Sequence, residues 1–150
     1  MTSNFLILFG FLGLVASCNN QPQNSKNNKP PNRTGDLKCY SYINNKDTVL
    51  LKTKYTGDSV TGTVVYNFFE KDKNTGTIQG QINDDLLIAD YTFISEGMSS
   101  VRQVAFKKSG NNFIEGYGDI EDINGKIVFK NIDSLNFNHS MVLKEVDCPK

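Results

Sequence analysis

Tryptophan is absent from this chain and histidine occurs once, at His139. A single imidazole with no cysteine or second histidine beside it excludes the usual nitrogen–sulfur metal centres. It also leaves no Ser-His or Cys-His pair, and the chain has neither a G-x-S-x-G elbow nor a phosphate-binding P-loop. Carboxylates are numerous, yet no two stand out as an acid–base dyad, so no catalytic residue is assigned and the chain reads as a non-enzyme with no cofactor. Sixteen basic and sixteen acidic residues balance to zero. They are interspersed, which provides no basic patch and argues against a nucleic-acid partner. A long apolar run is missing too. Phe5 to Ala16 is uncharged but twelve residues long, roughly 18 Å as a helix against the ~30 Å hydrocarbon core of a bilayer.

That run has the length of a secretory signal, and Ala16 and Ser17 are the small residues of a cleavage site. A cysteine follows them. Leu14-Val15-Ala16-Ser17-Cys18 resembles the lipobox of bacterial lipoproteins. The resemblance implies that residues 1–17 are removed, that Cys18 receives a diacylglyceryl group, and that its new amine is acylated. Two or more acyl chains give stable anchoring, at ~0.8 kcal/mol per buried methylene. The n-region Met1-Thr2-Ser3-Asn4 lacks the usual Lys or Arg and departs from the pattern.

After Cys18, residues 19–35 hold no aliphatic, aromatic or acidic side chain. They cannot bury enough apolar surface to offset their ordering entropy, so 18–35 reads as a lipidated cysteine on a disordered tether with a reach of roughly 23 Å. No acidic cluster follows the cysteine, which points to the periplasmic face of the outer membrane.

Residues 36–150 suffice for one domain. Their periodicity is two almost throughout: Val60, Gly62, Val64, Tyr66 and Phe68 share one face, and Ile78 and Ile82 share another with Gly76 and Gly80. Turn dipeptides (Gly57-Asp58, Asp84-Asp85, Gly110-Asn111, Asn124-Gly125) separate the runs. The pattern predicts an all-β, antiparallel meander of eight to ten strands, near 37–44, 47–55, 59–69, 75–82, 85–95, 99–108, 112–119, 125–131, 134–137 and 140–147. A meander this long must manage its edges, and closing into a lipocalin- or avidin-like barrel removes them; a two-sheet sandwich is the alternative. With Cys18 committed to lipid, Cys39 and Cys148 remain. Face parity points both outward on the first and last strands, which are neighbours in an up-and-down barrel, so the two form a candidate disulfide; unlinked thiols are the alternative.

One stretch is both polar and aromatic, from Ala89 through Asp122. Tyr91 and Phe93 share a face, as do Arg102, Val104 and Phe106, and as do Phe113, Glu115 and Tyr117. If these faces point inward, Arg102 and Glu115 are polar anchors of a ligand cavity, with Tyr91 and Tyr117 as its walls. Otherwise Arg102 lies at the rim in an ordinary ion pair.

The layout from Cys39-Tyr40-Ser41-Tyr42 to the closing Asp147-Cys148 resembles a group of small uncharacterised Gram-negative lipoproteins. A fainter likeness, in Ser95-Glu96-Gly97 and Lys108-Ser109-Gly110, is to the C-type lysozyme inhibitor lipoproteins, without their tryptophan. The first group implies no activity, and the second implies a protein partner such as a lysozyme. The barrel and its polar-aromatic stretch point to an envelope protein that takes a small apolar or amphipathic ligand or, alternatively, one that uses loops or outer strands against a lysozyme or an envelope component. Asp47-Thr48-Val49, Asp58-Ser59-Val60 and Asp133-Ser134-Leu135 also resemble the O-glycosylation site of some Gram-negative bacteria; an Asp opening a strand or turn explains each equally well.

Overall fold

A computed structural model describes residues 34–138 and 141–149. The stretch read as a signal, Cys18 and most of the stretch read as a tether lie outside the described residues, as do His139, Ser140 and Lys150.

Alternation of apolar and polar residues produces ten strands: β1 (Thr34–Asn44), β2 (Asp47–Thr56), β3 (Ser59–Asn67), β4 (Asn74–Asn83), β5 (Leu86–Ser95), β6 (Met98–Ser109), β7 (Asn112–Gly116), β8 (Ile120–Ile123), β9 (Lys126–Phe129) and β10 (Val142–Val146). Two-residue turns join most neighbours. At Glu96-Gly97 and Asn124-Gly125 both central residues have positive φ, the left-handed geometry that matches strand twist in a tight hairpin.

β1 to β7 pair in succession, β10 inserts between β7 and β1, and the β5–β6 ladder completes the ring. The result is a closed antiparallel barrel of eight strands with β8 and β9 added, so the barrel and not the sandwich is the fold. Val49, Leu51, Val64, Leu87, Phe106 and Leu143 are fully buried inside it, on the faces that the alternation assigns to the interior. The core, the closing ladders and the disulfide all lie between Thr34 and Pro149, which makes the barrel a self-contained unit.

Cys39 and Cys148 are disulfide-bonded, with Cα atoms 5.1 Å apart and a sequence separation of 109. The bond lies on the outer face, where β1 meets β10: the paired Cys39 and Val146 alternate with the inward-facing Tyr40.

Three elements differ from the sequence pattern. β1 begins at Thr34, inside the stretch read as tether. It pairs with Thr56 across a register shift, and Gly35 supplies the φ of 90° there. The expected 112–119 strand stops at Gly116, and the missing hairpin partner is β8, which pairs with β9. β9 then lies parallel to the first half of β6, through Val101↔Lys126 and Arg102↔Ile127, so the topology is not a pure meander. The expected strand at 134–137 is a single 3-10 turn (Ile132–Ser134) followed by one bridge, Tyr117↔Asn136. The cause lies in two glycines. A Cβ on Gly116 would sit 2.4 Å from the Phe137 ring, and one on Gly118 would sit 2.8 Å from Leu135. Only glycine lets the returning segment lie this close and peel β7 away from β6.

Candidate functional site

Where β7 leaves β6 and β9 takes its place, the barrel wall opens into a cavity of about 300 Å³. It lies toward the end of the barrel marked by the β5–β6 turn, because Tyr66, Arg102 and Glu115 all sit in the halves of their antiparallel strands nearest that end. Phe68, Val104, Ile120, Ile127 and Phe129 form its apolar lining; Tyr66, Arg102, Glu115 and Tyr117 form its polar side. Thr34 lies at the opposite end, beside the β2–β3 turn.

Glu115 is 4% exposed. Its Oε1 accepts a hydrogen bond from the Tyr66 hydroxyl at 2.7 Å, and its Oε2 accepts one from the Tyr117 hydroxyl at 3.0 Å. Burial pushes the Glu115 carboxyl above the ordinary carboxylate value, opposed by these two hydrogen bonds and by the positive charge of Arg102. Burial and the neighbouring carboxylate push the Tyr66 and Tyr117 phenols upward, so both remain protonated donors at neutral pH. The carboxylate is thus held from two sides.

Arg102 is held differently. Its guanidinium carbon lies 5.0 Å from the ring centre of Tyr66, 5.4 Å from that of Tyr91 and 5.6 Å from that of Phe93, a three-sided aromatic cradle. The Nε atom is buried and has no hydrogen-bond partner. Among the described residues no salt bridge joins Arg102 to Glu115, although both point inward from adjacent strands. Register explains the separation: Glu115 pairs with Phe106, four residues along β6 from Arg102, and Tyr66 stands between the two charges.

Of the four residues expected around a pocket, Arg102, Glu115 and Tyr117 come to one cavity and Tyr91 does not line it. Tyr91 is fully buried behind the guanidinium, stacked on Phe93 at 4.9 Å, with its hydroxyl donating to Asn74 Oδ1 at 3.3 Å. Its place beside the carboxylate is taken by Tyr66. Parity puts Tyr66 on the inner face, but which inner residues meet across a barrel depends on strand order and stagger. The apolar wall from β8 and β9 is hidden for the same reason, since the 125–131 run pairs with no sequence neighbour except β8.

Ser95-Glu96-Gly97 and Lys108-Ser109-Gly110 lie at opposite ends of the twelve-residue β6, roughly 40 Å apart along an extended strand. Ser134 is within the 3-10 turn and donates to the Asn131 carbonyl at 3.0 Å. Among the described residues no group of three or more His, Cys, Asp or Glu is placed to hold a metal ion. No family model, curated protein or solved structure matches the chain.

Proposed function

We propose that this is a lipid-anchored protein of the bacterial cell envelope whose barrel binds a small apolar or amphipathic ligand. The observation that supports this reading is the cavity itself: a space of about 300 Å³ with aromatic and aliphatic walls and a charged end, the composition typical of small-molecule sites. Native mass spectrometry of the protein purified from its own host is expected to show a retained mass that is lost on denaturation. Preparations that show only the bare chain, even under the gentlest ionisation, would remove the main support.

The anchoring half of the proposal rests on Cys18. Radiolabelled palmitate is expected to enter the wild-type protein and not Cys18→Ala, and equal labelling of both would show that the lipid is elsewhere or absent. The periplasmic face of the outer membrane is the site we propose, because no acidic residue stands between Cys18 and Asp36.

A second reading, a protein-interaction lipoprotein, is favoured by a separate observation. Ile43, Phe69, Ile94 and Met98 are all at least half exposed and all lie at the barrel end nearest the cavity. The distance between the two loops that resemble the lysozyme inhibitors weighs against those loops acting together on one enzyme surface. Loss of partner capture on Ile94→Ser with Met98→Ser, together with an empty cavity in native spectra, would favour this reading over ligand binding.

A further inference from the structure

Resting on the ligand-binding reading, we propose that the cavity takes a singly charged, carboxylate-headed amphiphile, with its head on Arg102 and its chain along Ile120, Ile127 and Phe129. Three observations lead there. First, the two ionisable ends of the cavity are unequally satisfied. Each oxygen of Glu115 already accepts a tyrosine hydroxyl, whereas Arg102 has an unpartnered Nε and, among the described residues, no salt bridge. A half-buried guanidinium with no carboxylate in direct contact is a costly arrangement in a low-dielectric site, and an incoming carboxylate that pairs with it relieves that cost.

Second, the cradle orients the guanidinium without neutralising it. The guanidinium carbon lies over the rings of Tyr66, Tyr91 and Phe93, 5.0–5.6 Å from their centres. That fixes a planar donor group for bidentate recognition at little further entropic cost. A cationic head would be repelled here, and a purely apolar ligand would bury the charge without compensating it.

Third, the apolar side of the cavity suits a chain. The cavity of about 300 Å³ is at the small end of small-molecule sites. The apolar residues beyond Arg102 come from the β8–β9 hairpin, with Ile120 itself 54% exposed, so a chain can leave along this hairpin. An eight-carbon carboxylate can set its head on Arg102 and run its tail along this hairpin.

The test compares octanoate, octan-1-ol and octylamine, which share one tail and differ in the head. Each is titrated into isotope-labelled chain starting at Asn19, which keeps the whole barrel, while the amide resonances of Tyr117, Ile127 and Phe129 are followed. Octanoate is expected to bind at least about tenfold more tightly than octan-1-ol, the scale of one charge-assisted hydrogen bond, and octylamine most weakly. In Arg102→Met the advantage of octanoate over octan-1-ol is expected to vanish, and Arg102→Lys should retain part of it. Equal binding of all three ligands, or a preference for octylamine, overturns the carboxylate assignment and leaves the ligand-binding reading standing. An octanoate preference that survives in Arg102→Met overturns the role of Arg102. If none of the three perturbs the cavity resonances, the ligand-binding reading fails with it. Should Arg102→Met not fold, the wild-type series and Arg102→Lys still decide.

Discussion

Replacing Cys39 and Cys148 together by alanine is expected to lower the unfolding free energy by about 2–5 kcal/mol. The bond closes a loop across a sequence separation of 109, long enough for a large restriction of the unfolded chain. Its position adds to the effect. The barrel closes through β10, which contributes three paired positions to β1 and only two to β7, while β1 and β2 share nine. β10 is thus the least-paired strand of the wall, and the disulfide fastens its end to β1 from outside. The ion pair across this seam, Lys38 to Glu145 at 2.6 Å, is largely exposed and contributes under about 1 kcal/mol. Urea unfolding of the oxidised protein and the double variant checks this. The midpoint should fall, and the slope should rise because an unlinked chain exposes more surface when unfolded. Coincident curves would mean that the seam holds without the bond.

The same seam shows why some of this molecule is legible in its sequence and some is not. The inner faces follow from alternation alone: Val49, Leu51 and Tyr55 against Lys52 and Lys54, or Tyr91 and Phe93 against Asp90 and Thr92. Turn chemistry such as Asn124-Gly125 sets hairpin positions, and outward parity at both termini brings Cys39 to Cys148. These are local or two-body rules. The excursion after Gly116 obeys neither. Ile127 and Phe129 alternate with Lys126 and Val128 like a hairpin arm, but their strand lies parallel to β6, and Phe137 and Leu135 lie over two glycines about twenty residues earlier. The cavity is created by that excursion, so its charged side is visible in Arg102 and Glu115 while its apolar wall is not. The partner of Glu115 escapes a sequence reading for a related reason. Tyr66 reaches it from across the barrel, 49 residues away in sequence.

The arrangement around Glu115 fixes the sign of a pH effect. Burial raises its carboxyl in the folded state, so the folded protein holds that proton more tightly than the unfolded chain does. Its contribution is therefore fully present below the unfolded glutamate value of about 4.3 and is lost as pH rises through the higher folded value. Glu115→Gln keeps an acceptor oxygen for one tyrosine and cannot ionise. The stability of the wild type relative to this variant is expected to decline with rising pH across that window; a relative stability that instead climbs with pH would mean that hydrogen bonding outweighs burial. Glu115→Ala removes both acceptors and strands the Tyr66 hydroxyl, whose residue is 4% exposed, at a cost of about 1–3 kcal/mol. Arg102→Met behaves differently, because it removes an unpartnered donor and keeps a flexible apolar stem against the aromatic cradle. Its urea midpoint is expected at or above that of the wild type. With Tyr66 between the two charges, a double-mutant cycle on Arg102 and Glu115 should give a coupling near the lower end of the range for neighbouring residues, about 0.5 kcal/mol. A coupling of about 3 kcal/mol would reveal a direct buried ion pair and would leave Arg102 no vacancy for a ligand's carboxylate.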